Sequence, residues 1–231
     1  MDQDERRLLT EETRESRWEA APAVVIVIAL QLVLALVSLE RGSTLWGFPW
    51  WVWMIAVAPE TLLVLALVLD SPRRALERMG HRENAALALL ALITVANALA
   101  LIALMGSLLS GHEESGGQLL LKAAAIWGTN VVAYALWFWA FDSGGHIRRR
   151  EPNPPPPDFR FPQMENPKYA EPDWHPRLLD YVYVSFTNAM AFSPTDAMPL
   201  TRRAKLLMLS ESGISSVTVL LVAARAVNIL E

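Results

Sequence analysis

Apolar positions in this chain gather into long runs instead of the one-sided patterns of soluble helices or the alternation of half-buried strands. Residues 22–39, 48–69, 85–109, 118–141 and 206–230 are each mostly apolar over about 18 to 25 residues, the length a helix needs to cross a bilayer. A sixth run, residues 179–192, holds only about a dozen apolar and hydroxyl side chains, enough to enter a membrane but too few to span it. The pattern predicts an all-α membrane protein with five transmembrane helices and one short helix ahead of the last. It divides into a charged N-terminal tail at 1–21, a four-helix transmembrane bundle at 22–141, a Pro-rich basic linker at 142–178 and a short-helix, turn and long-helix region at 179–231. Pro154, Pro155, Pro156 and Pro157 predict an extended polyproline-type tether along the membrane surface.

Composition agrees with that class. Hydrophobic residues make up 53% of the chain and the mean hydropathy is +0.26, values seldom met in a soluble domain of this length. The mixed-charge start, with Asp2, Asp4, Glu5, Arg6 and Arg7, is unlike a cationic signal peptide, so the first span is expected to stay uncleaved. A net charge of −4 argues against nucleic acid as a partner. With no cysteine the chain has no disulfide, thiolate nucleophile or thiolate metal site. Arg6, Arg7, Arg14 and Arg17, then Arg73, Arg74, Arg78 and Arg82, then the basic residues from Arg148 to Lys205 fall on one side. The opposite loops hold Arg41 and the turn His112, Glu113, Glu114. This bias places the N-terminus in the cytoplasm and the C-terminus outside. Trp46, Trp50, Trp51 and Trp53 then fall at the outer interface as an anchoring aromatic belt.

The C-terminal region resembles the pore-loop domain of the potassium-channel superfamily. In that family a short helix rich in Tyr, Phe, Ser and Thr leads into a Thr-Val-Gly-Tyr-Gly-Asp filter, with a Pro, a Thr and a basic residue before the inner helix. Laid on that pattern, the matches are Ser185, Phe186, Asp196, Pro199, Thr201 and Lys205, with Gly213 where a hinge glycine falls. The likeness covers about 50 of 231 residues. The whole chain also looks like a family of bacterial integral membrane proteins with such a pore-like C-terminal half, which implies the bacterial inner membrane. The resemblance implies a re-entrant pore-type helix at 179–192 and a homotetramer passing monovalent cations, K or Na, with no cofactor.

The filter departs from the family, with Ser193 and Thr195 in place of glycines and Pro194 in place of the tyrosine. Proline fixes φ and lacks an N–H, so a ladder of backbone carbonyls is not expected. The selectivity candidates are instead Ser193, Pro194, Thr195 and Asp196, with Thr195 hydroxyls and Asp196 carboxylates forming the ring. A plainer account of the same residues has Ser193 and Thr201 as helix caps. Orientation conflicts with the family, because the positive-inside rule puts this loop on the cytoplasmic side. An inverted pore of the ionotropic glutamate receptor type, a miscounted span, or an interfacial helix would each resolve the conflict, and the inverted pore is the expectation adopted.

Polar residues at mid-depth offer further chemistry. Gln31, Glu60, Asn97 and Asn130 lie near the middle of their own spans, which brings four helices to one polar level. Glu60 either titrates as a proton or cation ligand or hydrogen-bonds as a neutral acid, and the three amides are expected to bond between helices. Glu211 either lines a central cavity in a tetramer or pairs with Arg202, Arg203 or Lys205 of the same or a neighbouring chain. Ser212, Gly213, Ser215 and Ser216 supply a small surface for close helix packing. The four histidines fall in loops and no His, Asp or Glu spacing suggests a metal site, so an enzyme is excluded. The functional expectation is a channel-like membrane protein. The alternatives are a non-conducting scaffold that keeps the pore-domain fold and a cation or proton transporter using Glu60.

Overall fold

The computed structural model describes residues 22–34, 36, 61–62, 64–65, 69, 82–109, 116–145, 148–150, 153–166, 168, 170–171, 174–190 and 196–230. The N-terminal tail, most of the expected span 48–69, the tryptophan belt, Glu60, Ser193, Pro194, Thr195 and the side chain of Arg225 lie outside them. The described residues are mostly helical. In chain order the elements are α1 (Pro22–Leu34), α2 (Arg82–Leu109), α3 (Gly116–Phe141), β1 (Phe159–Arg160), α4 (Pro162–Glu165), α5 (Leu178–Ala189), β2 (Met198–Pro199) and α6 (Arg202–Leu230).

Among the described residues three helices are long and apolar enough to cross a membrane: Asn84–Leu109, Gly116–Gly144 and Arg202–Ala224. They coincide with three of the five expected runs and support a helical membrane protein. A lipid-embedded helix satisfies its own backbone groups, and here the hydroxyls do likewise: Thr94 donates to the Leu90 carbonyl at 2.8 Å and Thr218 to that of Ile214 at 2.8 Å.

The chain forms two compact units. One comprises Ile26–Ala133 and Gly213–Glu231. Its core joins Leu34 of α1, Ala100, Leu101 and Leu104 of α2, and Leu119, Ala123 and Ile126 of α3, with Ile214, Val217, Leu221 and Val222 of α6 packed against them. A Cβ at Gly128 would lie 3.2 Å from Leu30 Cδ1, so the glycine permits a close approach of α1 to α3.

The other unit comprises Met1–Val25 and Tyr134–Ser212. Helix α3 ends where Ser143 (φ 52), Gly144 (φ 75) and Gly145 (φ 95) turn left-handed. A Cβ at Gly145 would stand 3.1 Å from the Ala140 carbonyl oxygen. The segment expected to be a tether is built into this unit. Pro154 to Pro157 carry no regular element, but Asp158, Phe159, Phe161 and Pro176 around them are buried. Strand β1 pairs antiparallel with β2, Phe159 opposite Pro199 and Arg160 opposite Met198. The Phe159 ring packs at a tilt 4.9 Å from Phe138, and Phe161 meets Tyr181 edge-to-face at 5.4 Å. The aromatic pair at 159 and 161 carries enough apolar area to hold the segment down.

Candidate functional site

Helix α5 begins at an extended Arg177 (φ −101, ψ 170) whose N–H donates to the Asp180 carboxylate at 2.7 Å, the acidic half of a capping box. Its buried side chains, Leu178, Tyr181, Val184, Ser185 and Ala189, recur at helical spacing on one face. Leu179, Tyr183, Phe186 and Met190 are exposed on the other.

The two ends of α5 are fastened at different levels along α3 and α6. At its start the Tyr181 hydroxyl donates to Asp142 Oδ2 at 2.5 Å. Asp142, fully buried at the end of α3, also accepts the backbone N–H groups of Asp158 at 2.6 Å and Phe159 at 3.1 Å. Arg149 Nε lies 3.8 Å from the same carboxylate. Its guanidinium donates to the carbonyls of Trp139 (2.8 Å), Asp142 (3.0 Å) and Pro176 (3.2 Å), and stands 5.0 Å over the Tyr181 ring. A buried carboxylate is stable only when so compensated. Burial raises the Tyr181 hydroxyl well above the ordinary tyrosine range, with Arg149 opposing the shift, so the phenol remains a donor.

Toward its C-terminal end α5 meets Glu211, which is fully buried on α6. The Ser185 hydroxyl donates to Glu211 Oε1, and Asn188 Nδ2 donates to Glu211 Oε2 at 2.6 Å and to the Met208 carbonyl at 2.9 Å. The Ser212 hydroxyl donates back to the Asn188 carbonyl at 3.2 Å. Beside them the Tyr134 hydroxyl donates to Ser210 Oγ at 2.9 Å. Within the chain Glu211 bonds to α5, and not to Arg202, Arg203 or Lys205, the pairing weighed against a cavity-lining role.

Helices α3 and α6 run antiparallel in one register here. Arg203 donates to the Phe141 carbonyl at 3.1 Å with its guanidinium 4.5 Å over the Phe141 ring, and one level deeper Tyr134 meets Ser210. Glu211 lies eight residues beyond Arg203 on α6, about 12 Å at the helical rise. Tyr181 at the level of Asp142 and Asn188 at the level of Glu211 are seven residues apart, about 10 Å along α5. By Met198 the chain is back at the level of α6's first turn: β2 pairs with β1, Leu200 N–H donates to the Asp158 carbonyl at 2.8 Å, and the Thr201 hydroxyl and Arg203 guanidinium both bond the Asp158 carboxylate. Thr201 also caps α6, its Oγ1 accepting the Ala204 N–H at 3.2 Å.

Of the selectivity candidates, only Asp196 lies among the described residues. It is exposed and accepts the Tyr183 hydroxyl at 3.1 Å. That bond to an anion raises the Tyr183 hydroxyl above its ordinary value. Gly213 sits inside unbroken helix, and a Cβ added there would meet nothing within 4 Å, so no contact within the described chain requires a glycine. In the other unit Asn130 Nδ2 donates to Ser215 Oγ at 2.8 Å, Asn97 is buried, and Gln31 is half-buried. Among the described residues no group of three or more His, Asp or Glu could hold a metal ion.

The sequence reading did not foresee Asp142, Arg149, Asp158 and Asn188. The signals were present, since Asp142 directly follows the aromatic run from Trp137 to Phe141, and Asp158 precedes the alternating Phe159 and Phe161. Comparison with known proteins finds no matching family model, no matching curated protein and no matching solved structure.

Proposed function

We propose that this chain is a channel-like membrane protein that passes monovalent cations through a ring of identical copies, with α5 as a re-entrant helix ahead of the last of five spans. The observation that carries the reading is the path of the chain between Asp142 and Arg203. Helix α5 runs about 10 Å inward beside α3 and α6, and the chain is back at its starting level by Met198. A short helix that enters and returns on one side is tolerated in a membrane where its polar groups are held by protein, and Ser185, Asn188 and Glu211 hold one another. On this reading the selectivity candidates Ser193, Pro194, Thr195 and Asp196 follow α5 in the chain. Asp196 carboxylates from several copies then supply the charge that selects cations.

A second reading is favoured by one observation. Both Glu211 oxygens are bonded to α5, an arrangement suited to a rigid, non-conducting scaffold. The two separate in proteoliposomes holding the purified protein, with K⁺, Na⁺ and H⁺ flux compared for wild type and Asp196→Asn. Flux that is lost or changes its ion preference in the variant supports the channel reading; absence of flux for every ion supports the scaffold.

A further inference from the structure

We propose that the exposed corner made by Met198, Leu200, Arg202, Lys205, Leu206 and Leu209 binds anionic phospholipid. The apolar members are well exposed: Met198 57%, Leu200 46%, Leu206 66% and Leu209 69%. Arg202, Lys205, Leu206 and Leu209 recur at spacings of three and four on α6 and so share one face. The two cations head that face and the leucines continue it inward.

The neighbouring arginine shows why these two charges call for an outside partner. Arg203 is matched within the chain by the Asp158 carboxylate and the Phe141 carbonyl. The side chains of Arg202 and Lys205 are exposed and form no ion pair or hydrogen bond among the described residues. Neither has a role in fastening α6 to α3 or to β1. Cations directly above an apolar face reproduce the layout of a phospholipid, with its phosphate above its acyl chains. A zwitterionic headgroup carries its own cation against the phosphate, so the match is to lipids of net negative charge. Inorganic phosphate could meet the cations but leaves the leucines and Met198 unused. The inference concerns side chains exposed on the single chain and is independent of whether the protein conducts.

The test uses the full chain in uncharged detergent, titrated with phosphatidylglycerol or phosphatidylcholine, with lipid occupancy read by native mass spectrometry. Phosphatidylglycerol is expected to bind more tightly. Arg202→Gln with Lys205→Gln should weaken it about 30-fold, the sum of two interfacial cations, and leave phosphatidylcholine unchanged. The charge-conserving pair Arg202→Lys with Lys205→Arg should retain binding, and Arg148→Gln with Lys168→Gln, exposed cations elsewhere, should not alter it. Equal affinity for the two lipids, full affinity in the Gln pair, or displacement of the lipid by millimolar inorganic phosphate would each overturn the proposal.

Discussion

Removing the Asp142 carboxylate is expected to cost more than any other single change near α5. In the native chain this buried group accepts two backbone N–H groups, at 2.6 and 3.1 Å, and the Tyr181 hydroxyl at 2.5 Å, and faces Arg149 at 3.8 Å. Asp142→Ala leaves three donors without their acceptor and a guanidinium without its counter-charge. Arg149 keeps the carbonyls of Trp139 and Pro176, which moderates its share. Breaking a buried ion pair by deleting one member costs about 3–5 kcal/mol. Tyr181→Phe removes one hydrogen bond to a charged acceptor, about 1.5–3 kcal/mol, while the ring keeps its contacts with Phe159 and Phe161. The double variant should fall short of additivity by about 1–2 kcal/mol, because the phenol stranded by Asp142→Ala is then absent. Reversible unfolding in mixed micelles gives all four corners of this cycle. A loss below about 1 kcal/mol for Asp142→Ala, or strict additivity, would refute the account of Asp142 as the fastening point of α5.

Further outcomes follow from the other contacts. Glu211→Ala strands the Ser185 hydroxyl and one bond of Asn188 and should destabilise by about 1–3 kcal/mol, with Glu211→Gln costing less because it keeps an acceptor; equal losses would show that the acceptor is unimportant. Asp158→Ala should cost about 2–4 kcal/mol in the same assay, since the carboxylate holds both Thr201 and Arg203 while Arg203 itself is half-exposed. The raised Tyr181 pKa makes the folded state hold a proton that the unfolded chain releases above about pH 10, so stability should fall as pH rises past that point. Tyr181→Phe should flatten that fall, and an unchanged slope would contradict it. Gly213→Ala should raise thermal stability by up to about 1 kcal/mol in the isolated chain, and a loss would show that another surface packs against Gly213.

What could be read from the sequence divides along a physical line. The spans at 85–109, 118–141 and 206–230 reappear as Asn84–Leu109, Gly116–Gly144 and Arg202–Ala224 because the length of an apolar run is a local property. The short helix expected at 179–192 forms at Leu178–Ala189 for the same reason. Partner choice was not legible. Asp142 and Tyr181 are 39 residues apart and Arg203 and Asp158 are 45 apart, and no local periodicity encodes such pairs. Glu211 invited pairing with the basic residues at the start of its own helix, yet those lie about two turns or more away, and Asp158 claims Arg203 first. The linker was misjudged because four prolines dominate its composition, whereas Phe159 and Phe161 decide its packing.

The central claim, that α5 enters the membrane and returns on one side, is open to a direct measurement, because the chain has no native cysteine. Single variants Leu179→Cys, Phe186→Cys and Met198→Cys replace side chains that are 76%, 47% and 57% exposed, so burial inside the protein does not shield them. A membrane-impermeant maleimide applied separately to the two faces of sealed vesicles should label positions 179 and 198 from the same face, the cytoplasmic one, and should not label 186 from either. Labelling of 179 and 198 from opposite faces would make α5 a crossing segment, and ready labelling of 186 would place it on the surface; either result would contradict the account.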